Sequence, residues 1–335
     1  MRRTSGLSAI VLVAGMAFCA GAQAEPITLK FAYFSSDRTS TYRTMVEPFV
    51  DAVNREGEGK VRIEVAFSGE LGSNPAQQAQ LVLDGTADLA FVIPGYRPDM
   101  FPDDAIITMP GMYESAREAT LTYNALLAAG ALRGRDEFFT VGAFATEPET
   151  IHTREPVDSL EALKGLRIRV NNPMEATVLS KLDATPVDLP INETAAALGS
   201  GEIDGATLPV GDALIEFGVA RMTTNHYMLK TSPVPLTVVM NRSVFEGLPA
   251  DIRDIIVKYS GEWSAQRYID VATPSDARVL EEFKSDPKRS VVEPTAADEA
   301  RARAIFEAVA EEWIAKDPRN RELFETAKAK LEKFR

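Results

Sequence analysis

One cysteine, Cys19, and two histidines, His152 and His226, are all that 335 residues contain of either type. No disulfide can form within the chain, a thiolate nucleophile has a single possible source, and a zinc site would need carboxylates for most of its ligands. The metalloprotease pattern HExxH, the nucleophile elbow GxSxG and the phosphate-binding GxxxxGK[ST] are all missing, so three common routes to catalysis have no residues to carry them. Positive charge is short as well. Lys and Arg number 36 against 49 Asp and Glu, a formal net charge of −13. A nucleic-acid partner would need a basic stripe, and an anionic membrane surface would repel such a chain. Long apolar runs are the last absence: residues 7–20 form one, shorter than the ~20 residues that cross a bilayer.

That run has another reading. Arg2 and Arg3 precede it, and Ala22-Gln23-Ala24 ends it with the small-x-small pattern that a signal peptidase cuts after. Basic head, apolar stretch and A-x-A terminus describe a secretory leader. Cleavage is expected after Ala24, leaving a soluble periplasmic protein that starts at Glu25. Phe18 stands where a lipobox wants a small residue before Cys19, so no lipid anchor is expected. Loss of the leader removes Cys19, Arg2 and Arg3, which takes the net charge to −15. An acidic protein of this kind that binds an anion must build its cationic pocket against its own field.

About 310 residues exceed the usual single-core limit, which makes two lobes the default. The pattern alternates strand and helix: strands at 27–33, 61–67 and 87–93, with helices at 41–55 and 75–84 between them. That order predicts parallel strands covered by helices, with ligands gathering at the carboxyl ends of the strands. Three loops there supply candidate contacts: Phe34, Ser35 and Asp37 in the first, Ser73 and Asn74 in the second, Tyr96 and Arg97 in the third. A second α/β unit begins near Thr140, with a strand at 166–170 and a helix at 175–182. The β-rich stretch 233–240 returns the chain to the first lobe. From Asp251 to Phe283 the periodicity predicts one long or kinked helix bracing both lobes, and residues 296–334 read as helical, interrupted at Asp317-Pro318.

Six segments in order give the chain a family resemblance. They are Ser68-Gly69-Glu70-Leu71-Gly72, residues 83–90 (LDGTADLA), residues 157–170 (VDSLEALKGLRIRV), Glu202-Ile203-Asp204-Gly205, Thr224-Asn225-His226-Tyr227 and Leu248-Pro249-Ala250-Asp251-Ile252. Together they resemble the periplasmic solute-binding proteins of TRAP (tripartite ATP-independent periplasmic) transporters. The resemblance implies a two-lobed α/β fold, type II-like among periplasmic binding proteins, with a long helix shared by both lobes. It also implies a ligand clamped on closure, delivery to membrane permease subunits, and no enzymatic activity or cofactor. Lobe I is expected at residues 25–144 and 233–273, lobe II at 145–232 and 274–335.

Arg169 matches the family's anchor for a substrate carboxylate. The chemistry agrees independently, since a guanidinium offers a planar fork to two carboxylate oxygens. Arg169 ends a predicted buried strand, just before Asn171-Asn172-Pro173. Arg167 lies on the same face by strand alternation and competes for the role. Departures from the family's sialic-acid binders bear on specificity. Glu149 stands at their second arginine, Leu208 and Pro209 follow Ala206-Thr207 where they have an amide, Ile93 replaces a glutamate and Ile191 a phenylalanine. The direction is toward a smaller, less hydroxylated organic acid. Competing readings are the binding lobe of an ABC importer and a periplasmic enzyme acting on an organic acid. The 157–170 block disfavours the first, and the poor supply of nucleophiles and bases disfavours the second.

Overall fold

The computed structural model describes residues 25–335. The expected leader, residues 1–24, lies outside the described residues. Eleven strands among them build two sheets: β1 (Ile27–Ala32), β2 (Val61–Ala66), β3 (Leu89–Val92), β4 (Phe138–Ala145), β5 (Thr150–Thr153), β6 (Arg167–Val170), β7 (Thr185–Asp188), β8 (Gly205–Leu208), β9 (Asn225–Tyr227), β10 (Pro235–Asn241) and β11 (Ser290–Val292). One sheet has the order β2-β1-β3-β10-β4, the other β11-β9-β5-β8-β6-β7.

The alternation of strand and helix explains the first half of each sheet. β1 pairs parallel with β2 and β3, and β6 pairs parallel with β7 and β8. Each parallel step needs a helical crossover to return the chain to the same edge. The returning strand β10 enters antiparallel between β3 and β4.

Two crossings between the sheets run side by side. Glu149 donates its backbone N–H to Ser232 O at 2.9 Å and accepts that of Thr231 at 2.9 Å, while Thr146 donates to Val234 O at 3.1 Å. The long helix Glu262–Ser285 is the third link. At its N-terminal half Tyr268 meets Phe144 edge-on at 5.3 Å, and near its C-terminus Phe283 stacks on His226 at 4.7 Å. The helix therefore touches both sheets. The expected single helix from Asp251 is two: Ala250–Lys258 ends before Gly261, which takes φ +60° and gives its N–H to Val141 O. Positive φ is a conformation only glycine adopts without strain, and it turns the chain between the helices. The C-terminal pair Ala296–Ala315 and Pro318–Leu331 breaks at Pro318 as expected, and Leu323, Ala327 and Leu331 share a core with Tyr123 and Leu126 of the helix Ala116–Ala128.

Candidate functional site

The carboxyl ends of the strands from both sheets face one cavity of about 430 Å³, within the range of about 300–1,000 Å³ usual for small-molecule sites.

Its cationic centre is Arg169. β6 sits between β7 and β8, with Arg169 opposite Val187 and Ala206. Pro173 starts the next helix at its first turn, and the Asn172 side chain caps it by accepting the Glu175 N–H at 2.9 Å. Strand end and helix start are thus fixed within four residues, and the guanidinium is held 1% exposed at the tip. Nε donates to Leu189 O at 2.9 Å, Nη1 to Thr207 O at 3.2 Å and Nη2 to Tyr96 Oη at 2.7 Å. A guanidinium has five N–H groups. One is left on each Nη, a pair spaced for two oxygens of a single carboxylate.

Tyr96 adds a third donor. Its oxygen accepts from Arg169 and from the Ile191 N–H at 2.9 Å, so its own proton has no protein acceptor there. Burial pushes the phenol pKa up, which keeps that proton in place. Tyr96 follows β3 of the first sheet while Arg169 and Ile191 belong to the second, so this knot also ties the lobes together. A second tie closes the mouth: Glu216 accepts the Ser40 N–H at 2.6 Å and the Ser40 hydroxyl at 3.3 Å.

The walls between are apolar. Tyr33, Phe34 and Phe91 form an aromatic cluster with centroids 5.7 to 6.2 Å apart. With Ile93, Ile191, Leu208, Val234 and Leu236 they line the cavity. A ligand body placed there gains from area burial, at roughly 25 cal/mol per Å², and finds few partners for extra hydroxyls.

Behind Arg169 lie two buried carboxyls. Glu149 accepts from Asn171 Nδ2 at 2.7 and 2.9 Å, and Glu175 accepts from Ser232 Oγ at 2.9 Å, with its other oxygen unpartnered. Burial raises the pKa of both. The nearby Arg169 charge opposes that shift without cancelling it. His152 and His226 are elsewhere, bonded Nδ1 to Nδ1 at 2.8 Å inside the second sheet. Burial drives both below the ordinary imidazole range.

The residues singled out from the sequence divide in two. Arg169, Asn171, Tyr96, Phe34, Leu208 and Pro209 line the cavity, together with Glu149, Ile93 and Ile191. Ser35, Asp37, Ser73 and Arg97 are not among its lining residues. Arg97 pairs with Asp99 at 2.8 Å, Asp37 accepts from Ser36, and Ser73 is exposed. Arg167 points away at the outer end of β6, where it pairs with Asp204 at 2.7 Å and is 43% exposed. Sequence reasoning missed Tyr33, Phe91, Phe217, Ser40, Glu216 and Asp276, all of which line the cavity. Tyr33 and Phe91 had a signal, since they sit at or beside the carboxyl ends of predicted strands. Asp276 had none, being one polar residue on a long amphipathic helix.

Known proteins share this fold. A marine metagenome TRAP solute-binding protein specific for aromatic acids, solved with 3-hydroxybenzoate, superposes with a TM-score of 0.84 at 23% identity, covering 93% of this chain and 99% of its own. One from Rhodoferax ferrireducens T118, solved with benzoate, gives 0.83 at 25% identity over 92% of this chain and 98% of its own. The 2,3-diketo-L-gulonate-binding periplasmic protein of Escherichia coli is 22% identical over 260 residues, 75% of this chain and 77% of that protein. The two-lobed fold is that of TRAP solute-binding proteins. A family model described as bacterial extracellular solute-binding protein, family 7, matches residues 31–317, most of the described chain, and the protein belongs to that family.

Proposed function

We propose that this protein captures a small organic acid with an apolar, ring-sized body between its lobes and delivers it to the membrane permease of a TRAP transporter. The observation that carries this reading is the free fork of Arg169, paired with the Tyr96 hydroxyl inside an aromatic-walled cavity. Arg169 would hold the ligand carboxylate, Tyr96 and Asn171 would complete its polar contacts, and Phe34, Leu208 and Pro209 would cover the body. One buried cation serves one carboxylate well. The other arginines that line the cavity, Arg38, Arg43 and Arg278, are exposed, so a second carboxylate would find no second buried cation, which favours monocarboxylates over dicarboxylates. Family and fold are those of transport binding proteins rather than enzymes. Export to the periplasm by the 1–24 leader fits the family, and no helix among the described residues is long and apolar enough to cross a membrane.

A thermal-shift screen followed by calorimetry tests the reading, with benzoate, mandelate, succinate and galacturonate as probes. A ligand that binds only the folded state stabilises it by about 2.7 kcal/mol at a hundredfold excess over Kd. The aromatic monocarboxylates should shift the melting temperature and the other two should not. A shift with galacturonate alone would overturn the proposed ligand class.

A further inference from the structure

The cavity has a second polar end that the anion-binding role of Arg169 does not use. Asp276, on the long helix, lines it together with Ser275 and Gly211. The nearest cation on its helix, Arg278, also lines the cavity but is exposed and already paired with Asp212 at 3.1 Å and Glu282 at 2.6 Å. Glu147 and Asp212 are like charges beside it, and the Asp212 backbone N–H favours the ionised form. Burial and these like charges push its pKa up to about 8. A carboxyl so placed has hydrogen-bonding capacity left over. Leaving it unmatched beneath a bound ligand is costly.

The loop that follows β8 relates this end to the other. Thr207 O accepts from Arg169 Nη1, Leu208 and Pro209 form the wall, and Gly211 abuts Asp276. A Cβ on Gly211 would lie 2.0 Å from Asp276 Oδ1, so the approach needs a residue without a side chain. Four residues span at most about 14 Å. Both polar ends therefore belong to the wall of one cavity, joined by a single short stretch of chain.

We propose that Asp276 is a specificity-determining residue that accepts a hydrogen bond from a donor group on the ligand, so that the preferred ligands are apolar acids carrying a hydroxyl or ammonium away from their carboxylate. This rests on the proposed carboxylate capture by Arg169 and adds the chemistry of the ligand's other end. A hydroxyl and an ammonium share the donor that Asp276 needs, and Arg278 is already engaged by Asp212 and Glu282. A second carboxylate at that end would add negative charge beside Glu147 and Asp212, where Arg278 is already paired.

The test titrates parent, Asp276→Ala and Asp276→Asn calorimetrically with benzoate, 3-hydroxybenzoate, 4-hydroxybenzoate, 3-(aminomethyl)benzoate and isophthalate, with melting curves for each variant. In the parent, at least one donor-bearing acid should bind about tenfold tighter than benzoate, the effect of one hydrogen bond to a buried acceptor, and isophthalate should bind worst. Asp276→Ala should bring that acid to within about twofold of benzoate while benzoate itself still binds. Asp276→Asn keeps the acceptor and the shape. It should retain a preference for a hydroxyl and lose one for an ammonium, which separates the two sources. Benzoate binding with no donor preference in the parent, or a preference that survives Asp276→Ala, overturns the role of Asp276 and leaves carboxylate capture standing. Failure of all five acids to bind the folded parent overturns both.

Discussion

Truncating Arg169 removes more than a ligand contact. In Arg169→Ala the carbonyls of Leu189 and Thr207 lose their donor, Tyr96 loses one of its two, and Glu149 and Glu175 lose the nearest counter-charge. Breaking a buried charge arrangement by removing one partner costs about 3–5 kcal/mol. The lower end applies here, because both carboxyls already have raised pKa values and can take up a proton in place of the lost cation. The variant should therefore fold with a lowered melting temperature. Its binding should suffer separately: a ligand carboxylate left without its buried partner costs about 2–5 kcal/mol, or about 30- to several-thousandfold in Kd at 1.4 kcal/mol per tenfold. Arg169→Lys keeps the charge but not the planar fork, and a lysine ammonium cannot hold Leu189 O, Thr207 O, Tyr96 and a bidentate carboxylate at once. It should bind measurably and weakly. Arg167→Ala is the control, since that side chain is half exposed and pairs with Asp204 outside the cavity. Calorimetric titration with the acid selected by the thermal-shift screen, beside a melt of each unliganded variant, reads both effects. If folded Arg169→Ala binds within about threefold of the parent, under about 0.7 kcal/mol, the anchor has been misassigned.

Other outcomes follow from the same geometry. Burial raises the folded pKa values of Glu149 and Glu175, so between the ordinary carboxyl pKa of about 4.3 and those raised values the native state binds more protons than the unfolded one. Stability of the ligand-free protein should then fall as pH rises through that window, and Glu149→Gln should flatten the fall in a series of melts from pH 5 to 9; an unchanged slope would refute the assignment. The buried histidines act with the opposite sign: His152, lowered to about 4, favours folding above its unfolded pKa, and that contribution is lost as pH drops from about 6.5. Glu216→Ala removes both bonds to Ser40 across the cavity mouth and should speed ligand release a few-fold in stopped-flow, the scale of an exposed polar contact; no change in off-rate would show the tie to be incidental. Gly211→Ala must displace the Asp276 carboxyl, so it should reproduce the ligand preferences of Asp276→Ala in the same titrations.

Much of the fold was legible because period and punctuation agreed. β1 to β3 and their crossovers follow from two alternating strands, one continuous apolar strand and a glycine after each helix, and parallel pairing follows from their order. Other elements were hidden. β5 and β9 are fully buried four- and three-residue strands containing Thr, His and Asn, too short and too polar to show a period. The helix Ala116–Ala128 buries threonines as well as apolar residues, which blurs its stripe. The break at Gly261 was missed because both flanking helices keep an apolar face in phase, and one glycine inside a helical pattern is ordinarily tolerated.

The site was legible where its residues are constrained by the backbone and illegible where they are constrained only by the partner lobe. Arg169 is fixed by its place at the end of a strand that meets Asn171-Asn172-Pro173, and Leu208 and Pro209 by theirs at the end of the adjacent strand β8. The first-lobe loops behave otherwise. Polar side chains there are satisfied within a few residues, as Arg97 is by Asp99 and Asp37 by Ser36, so polarity at a strand end does not by itself point to a ligand. The buried contacts that face the cavity from that lobe include the aromatic side chains Tyr33, Phe34 and Phe91, with Tyr96 giving its hydroxyl to the facing lobe. Arg167 and Arg169 make the same point on one strand. Alternation puts both on one face, yet two residues of rise, about 6.5 Å, separate an arginine paired with Asp204 near the surface from one that is 1% exposed. Face is written in the period of two; depth along the strand is set by what the sheet packs against, and here that is a second lobe encoded more than fifty residues away.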